Sequence, residues 1–276
     1  MNLQKIVTAL VITLISSQSF AESLYDRKVK DVRIYDMFVK QGVPEAAVQR
    51  TFEFLDVNAG KTIKVRSKTR GKEKTFMDDR EVKIRNEFVA IIDFSKPSSE
   101  RRLYVMNLKD GAISKHFVAH GKGSGVRVAA KFSNIDGSKM SSLGMYIGGN
   151  TYFGGHGESL NLYGLEASNS KAAERDIVVH AANYVSEDYV KAQGRLGRSW
   201  GCPAVAPGII RKMLTNFKEG GLIYAYHKDL ISSAVQDPTV QEVQPTAAEK
   251  DDEDIDLPDE EESVRKGQTA VSAPAK

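Results

Sequence analysis

The spacing of apolar positions changes several times along the chain, and each change marks a different kind of element. Residues 24–60 carry apolar residues at helical spacing. VRIYDMFVKQG (32–42) runs to Gly42, and PEAAVQRTFEFLDVNAG (44–60) opens at Pro44 and closes at Asn58 and Gly60, residues that begin and end helices. They predict a short N-terminal helical element over 22–60, packed on the domain that follows, with reception of a partner as the alternative. Residues 61–87 are basic and polar with few apolar positions, and read as a weakly structured connector. From Phe88 the pattern turns to strands: FVAIIDFS, RRLYVMNL and AISKHFVAHG, separated by KPSSE and by Lys109-Asp110-Gly111. A Gly/Ser-rich stretch from Gly121 to Gly157 holds the strand-like pieces SLGMYIGG and TYFGG and suits functional loops. One helical turn is expected within 169–174. RDIVVHAA (175–182) predicts a short buried strand, SEDYVKAQG (186–194) a capped helix stopped by Gly194, and PGIIRKMLTNFKEGG (207–221) a helix with Pro near its start and Gly at its end. LIYAYH (222–227) closes as a strand. The sum is a mainly β fold with some α (α+β): a β-sandwich-like domain over 88–233. From residue 234 to 276 Pro, Ala, Gln and acidic residues dominate. DDEDIDLPDEEE cannot bury a core, so this tail is expected to be disordered.

The N-terminus changes the compartment. MNLQKIVTALVITLISSQSFA carries Lys5, an apolar run from Ile6 to Ile15, and small residues at Ser19 and Ala21. This is the pattern of a secretory signal over 1–21. A membrane anchor is the alternative, but spanning needs about 20 apolar residues. An exported protein, periplasmic or wall-associated and without a stable membrane anchor, is therefore expected. Among its 276 residues there is one cysteine, Cys202. Exported cysteines usually pair, so a lone one is either an inert buried side chain or a reactive group. The formal net charge is +3. From Asp237 onward 12 acidic and 4 basic residues give −8, so the rest carries +11, or +10 once Lys5 leaves with the signal. A basic body suits an anionic polymer, and export argues against nucleic acid.

Candidate chemistry centres on Arg198-Ser199-Trp200-Gly201-Cys202-Pro203. Cys between Gly and Pro marks a sharp turn. Gly201 would let its own N–H and that of Cys202 approach a ligand as an oxyanion hole, and Arg198, if it points inward, would lower the thiol pKa. His180 ends the strand RDIVVH, 22 residues before Cys202. A Cys–His pair makes a nucleophile, the imidazole moving the proton, and the carbonyl of Ala181 is placed to fix its tautomer. The alternative for His180 is a hydrogen-bonded core histidine. His120 and His156 sit in glycine-flanked loops and are candidates for substrate contact, as is Ser199. Tyr152, Tyr163 and Trp200 are candidate aromatic walls for a peptide, or core packing. The three histidines and Cys202 are spaced by 36, 24 and 22 residues, which matches no compact zinc motif, so no metal is expected.

Six stretches in order, IIDFSKPSSERRLYVMNL, VAHGKGSG, FSNIDGSKMSSLGMY, TYFGGHGESLNLYGLE, RDIVVHAANYVS and GRLGRSWGCPAV, resemble the murein L,D-transpeptidases of the YkuD type, and more closely their divergent branch with a GRSxGCP signature. The resemblance covers residues 88–226. It implies that Cys202 is the nucleophile and His180 the base, and that Ser141–Tyr146 sits where the wider family has its TPxG-type strand. It implies attack on the third residue of a peptidoglycan tetrapeptide stem, release of D-alanine, and transfer to another stem as a 3–3 cross-link, with no cofactor and with capture by carbapenems. The chain departs from the broader family at Trp200, where a His usually precedes Gly-Cys, and at Pro203-Ala204, where Arg or Asn is usual shortly after the Cys. A hydrolytic L,D-carboxypeptidase or another murein peptidase, a D-amino-acid exchange enzyme, and an inactive peptidoglycan-binding module remain as alternatives. Oligomeric state is not legible.

Overall fold

The structure is a computed structural model that describes residues 23–70, 74–230 and 240–242. The signal segment and most of the acidic tail lie outside the described residues. The N-terminal element opens with a two-stranded ribbon, β1 (Lys28–Val29) and β2 (Val32–Arg33), which turns through Lys30 and Asp31 in left-handed conformation. Helices α1 (Ile34–Lys40) and α2 (Glu45–Asn58) come next. α2 buries Ala47, Val48, Thr51, Phe52 and Leu55, one stripe at helical spacing. Phe52 meets Tyr35 and Phe38 at ring-centroid distances of 6.1 Å. The same cluster includes Val89, Ile91, Tyr104 and Met106, so the helices pack on the main sheet.

Residues 61–87 are not a weakly structured connector. β3 (Thr62–Arg70) and β4 (Thr75–Lys83) form a long antiparallel hairpin, in register from Thr62↔Lys83 to Arg70↔Thr75. Thr62, Ile63, Val65 and Thr69 favour extended backbone, while only a few positions such as Val65, Ser67 and Val82 are buried. At its base the ribbon turns Val65 and Val82 into the helical core, with Ile63 packed against it, while Lys64 and Arg66 on either side of Val65 are exposed. The apolar alternation ends at Val65 and gives way to Ser67 and Thr69, too short a run to mark a strand in the sequence.

Ten further strands complete the domain: β5 (Phe88–Asp93), β6 (Leu103–Asn107), β7 (Ile113–His116), β8 (Val118–Ala119), β9 (Lys131–Ser133), β10 (Gly144–Gly154), β11 (Gly157–Gly164), β12 (Val178–Ala181), β13 (Ala204–Val205) and β14 (Leu222–Tyr226). All but β9 join one sheet in the order β7-β6-β5-β14-β10-β11-β12-β13-β8. Only Phe117 separates β7 from β8 in the chain, yet these strands occupy the two ends of that order. The sheet therefore curls until its edges nearly meet. The mainly β, α+β expectation holds, and the layers are the faces of one curled sheet. One face shares the helical core; the other packs Phe94, Phe132, Leu160 and Val179 against Met213, Leu214 and Phe217. The two strand pieces read in the Gly/Ser-rich stretch are the single strand β10, irregular between Gly148 and Thr151. Residues 170–174, where a helical turn was expected, run as hydrogen-bonded turns, and the helical turn itself lies just before them, a 3-10 turn at Ala167–Asn169.

Two helices flank the last strands. α3 (Glu187–Gln193) starts where Ser186 Oγ accepts the Tyr189 N–H and ends at Gly194, φ 69°. α4 (Pro207–Phe217) carries Pro207 in its first turn and lays Met213, Leu214 and Phe217 on the sheet. Within the stretch read as a disordered tail, β15 (Val240–Glu242) is ordered as a strand. It pairs antiparallel with β9, whose free edge supplies the partner groups that the tail's own sequence lacks.

Candidate active site

Cys202 sits in the loop between β12 and β13, and the sheet places that loop against His180. In the parallel β12–β13 pairing His180 stands opposite Ala204 and Ala181 opposite Val205. The cysteine is thus two residues from the cross-strand neighbour of the histidine. Its Sγ donates to the main-chain oxygen of Asp176 at 3.5 Å, four residues ahead of His180. Cys202 is partly exposed, whereas His180 is buried, 1% exposed.

The turn is held by a network of small side chains. Ser199 Oγ donates to the Cys202 carbonyl at 2.6 Å and accepts the Gly201 N–H at 3.1 Å. Ser141 Oγ donates to the Gly201 carbonyl at 3.1 Å and accepts the Gly121 N–H at 3.0 Å. Ser124 Oγ accepts the Ser141 N–H in turn. The segments 120–122 and 199 pair directly: Ser199 N–H donates to the His120 carbonyl and Lys122 N–H to the Ser199 carbonyl. Three backbones converge here, and only glycine fits. A Cβ on Gly121 would lie 2.3 Å from the Lys139 carbonyl and 2.8 Å from Gly201 Cα. A Cβ on Gly201 would lie 2.7 Å from the Met140 carbonyl, and its φ of 123° disfavours any side chain.

His180 is tied at one nitrogen. Nδ1 lies 3.0 Å from the Ala181 carbonyl, an atom that can only accept, so Nδ1 carries the proton and Nε2 is the basic nitrogen. Burial pushes the imidazole pKa down to about 4, the neighbouring His156 pushes it the same way, and the Ala181 hydrogen bond opposes both. At neutral pH this histidine is an uncharged base. His156 lies in the two-residue turn joining β10 to β11, where Gly154 pairs with Gly157. Its ring stacks on that of His180, centroids 4.2 Å apart and planes 28° apart. The turn reaches β12 because β11 pairs with it only as far as Leu160↔Val179, leaving the start of β11 to run on beyond. Beside His156 on this hairpin Tyr152 is half-buried and Phe153 is 83% exposed.

Several residues expected at the cleft lie elsewhere. His120 is fully buried. Its Nδ1 accepts from Arg102 Nη2 at 2.7 Å and its Nε2 donates to the Gly125 carbonyl at 3.1 Å, so neither nitrogen faces a ligand. Arg102 is itself buried and also donates to the carbonyls of Val118 and Lys96. Tyr163 is buried too. Its hydroxyl donates to Asn150 at 2.9 Å and its ring packs against Gly149, so it is core and not a substrate wall. Ser199 is fully buried and holds the turn instead of lining a cleft. The Gly201 N–H, expected in an oxyanion hole, is bonded to Ser199 Oγ. Arg198 points inward but toward Gly125, whose carbonyl accepts from its Nη1 at 3.4 Å. Trp200 is partly exposed with Lys139 Nζ 4.3 Å from its ring centroid.

Two residues to which the sequence assigned no role at the site matter here. One is Ser141, marked only as the start of the Ser141–Tyr146 stretch, whose role rests on contacts with Gly121 and Gly201. The other is Arg175, at the head of the strand segment RDIVVH. Its guanidinium donates to the carbonyls of Ser133 (2.7 Å) and Met140 (2.5 Å) and to Ser142 and Ser138 Oγ. It lies under the Cys turn, Nη2 being 3.2 Å from where a Gly201 Cβ would sit. The β3–β4 hairpin holds the segment around Arg175, Lys68 donating to the Glu174 carbonyl at 2.9 Å and to the Asp176 carboxylate at 2.8 Å.

A partly exposed thiol and a neutral, oriented imidazole brought to one place can perform acyl transfer through a thioester. Comparison with known proteins gives the arrangement a context. A search of curated proteins returns no match. Solved structures with similarity include an L,D-transpeptidase from Mycobacterium smegmatis (13% identity, 61% of this chain and 68% of that one, TM-score 0.34). Others are L,D-transpeptidase 3 from Mycobacterium tuberculosis in complex with a faropenem-derived adduct (11%, 60% and 68%, 0.31) and the L,D-transpeptidase from Xylanimonas cellulosilytica (14%, 51% and 61%, 0.30). The model of the L,D-transpeptidase catalytic domain, YkuD_2, matches residues 61–226, more than half of the chain and inclusive of the β3–β4 hairpin. On that match the chain belongs to the L,D-transpeptidase catalytic domain family.

Proposed function

We propose that the chain is an exported peptidoglycan L,D-transpeptidase with Cys202 as nucleophile and His180 as proton carrier. The observation that carries this reading is the placement of the chain's one cysteine, on a glycine turn beside a buried histidine whose Nδ1 is tied to a carbonyl. Family membership supplies the substrate class, the peptide stems of the cell wall. The signal-like segment 1–21 supports export, and no helix among the described residues is long and apolar enough to cross a membrane.

In the reaction the Cys202 sulfur attacks the carbonyl at the L-centre of the third stem residue. The thiol proton passes through His180 Nε2 to the amine of the departing D-alanine, whose C–N bond breaks as the thioester forms. The side-chain amine of a second stem then attacks the thioester, gives up a proton through the same imidazole, and restores the thiol, leaving a 3–3 cross-link. With the Gly201 N–H bonded to Ser199, charge on the tetrahedral intermediate falls to the amide of Cys202 itself. His156 and the exposed aromatic tip of the β10–β11 hairpin stand where the stem enters. The chemistry needs no cofactor.

The test is incubation of residues 22–276 with purified tetrapeptide muropeptides, read by mass spectrometry beside Cys202→Ala. A dimer lacking one D-alanine, absent with the variant, supports the proposal. Tripeptide without dimer reassigns the same acyl-enzyme to an L,D-carboxypeptidase, and incorporation of an added D-amino acid reassigns it to exchange. Absence of any Cys202-dependent product leaves a peptidoglycan-binding module.

A further inference from the structure

Arg175 is a charged group in an unusual setting. The guanidinium is largely buried, and among the described residues no carboxylate lies within ion-pair distance of it. Its hydrogen bonds go to neutral acceptors, the carbonyls of Ser133 and Met140 and the hydroxyls of Ser138 and Ser142. Its Nε–H is buried with no hydrogen-bond partner among the described residues. A desolvated cation balanced by dipoles alone is costly to hold, and natural proteins keep such groups where a negative charge forms. The place where one can form is adjacent. Nη2 lies against Gly201, and Cys202 Sγ contacts the main chain of Asp176, the residue after Arg175.

We propose that Arg175 is the cation that stabilises the Cys202 thiolate, acting on the substrate only through that sulfur. The proposal deepens the reading of Cys202 as nucleophile and rests on it. The electrostatics agree. Burial pushes the Arg175 guanidinium down, and Tyr146, Cys202 and Asp136 oppose that, in this order. His180 is a weak proton acceptor at a pKa of about 4, more than four units below an ordinary thiol near ~8.5. A permanent cation beside the sulfur narrows that gap. The other charged groups near the turn are engaged elsewhere: the Asp176 carboxylate, which would oppose a thiolate, is paired with Lys68 from β3, and of the cations Lys139 stands over the Trp200 ring and Arg198 is directed to Gly125. A further feature fits: the four hydrogen bonds lock the guanidinium to loop 133–142, so the charge sits in place before the thiolate forms.

The experiment uses the full chain, in which Cys202 is the only thiol. The rate of Cys202 alkylation by iodoacetamide is followed by intact mass from pH 5 to 10 in wild type, Arg175→Gln, Arg175→Lys and His180→Asn, with circular dichroism to confirm folding. The expected result is a depressed thiol pKa in wild type that persists in His180→Asn, rises by about one unit or more in Arg175→Gln, and is partly kept in Arg175→Lys. At pH well below both thiol pKa values that is roughly a tenfold slower alkylation for Arg175→Gln. A folded Arg175→Gln with the wild-type profile overturns the proposal. So does a His180→Asn thiol in the ordinary range, and this arm decides even if Arg175→Gln does not fold. Because no stem peptide enters the assay, failure here is distinct from failure of the transpeptidase reading.

Discussion

Acid should unfold this protein partly through one histidine. His180 is buried and held neutral, with its folded-state pKa pushed down from 6.5 to about 4 by burial and by His156. The unfolded chain restores the ordinary value, so below about pH 6.5 protons bind preferentially to the unfolded state. Stability present at neutral pH is therefore lost as pH falls through the folded value. With these two values the loss from this residue is about 2 kcal/mol at pH 5 and about 3 kcal/mol at pH 4. Urea unfolding of wild type and His180→Asn at pH 7.5 and pH 5 measures it, since Asn keeps a side-chain donor for the Ala181 carbonyl and removes the titration. His120, whose pKa burial and Arg102 push well below 6.5, adds its own acid sensitivity, as do carboxylates, but these are common to both proteins. The expected outcome is a pH-dependent loss smaller in the variant by about 2 kcal/mol. Parallel losses in the two proteins would refute the reading of His180 as a buried neutral base.

Three further substitutions probe the same turn. Ser199→Ala removes a donor to the Cys202 carbonyl and an acceptor for the Gly201 N–H in a buried place; it should cost about 1–3 kcal/mol in denaturant unfolding and slow Cys202 alkylation, and an unchanged midpoint would remove Ser199 as the holder of the turn. Gly201→Ala forces a side chain into φ 123° and to within 2.7 Å of the Met140 carbonyl; about 1–3 kcal/mol of strain and loss of Cys202-dependent turnover are expected, and a fully active, equally stable variant would contradict the crowding described. His156→Ala uncovers His180 and removes a neighbour that lowers its pKa; NMR titration should place the His180 pKa above the wild-type value, and a fall or no change would mean that the stacked ring does not set it.

Much was legible along the chain because local rules carried it. Ser186 and Gly194 bracket α3, Pro207 opens α4, and the alternation from Phe88 onward marks strands, each through backbone geometry that a residue type imposes on its own neighbourhood. The Gly201-Cys202-Pro203 turn and His180 at a strand end were legible for the same reason, and together with the six ordered blocks they pointed to the family that the match over 61–226 establishes. The β3–β4 hairpin escaped because its apolar alternation stops after Ile63 and Val65, and the rest of its length is polar and held by ladder hydrogen bonds. Long-range placement escaped as well. The sequence marks Arg198 as the arginine of the Cys turn, yet the fold turns it to Gly125 and brings Arg175 under Gly201, 26 residues away along the chain. His120 and His156 look alike in glycine loops. Only the packing of strands decides that one is locked between Arg102 and Gly125 in the interior while the other is carried by a hairpin onto the face of His180. Composition and spacing determine which groups are present and how the nearby chain bends; which of them share a desolvated pocket depends on sheet register and curl, properties of strands distant in sequence.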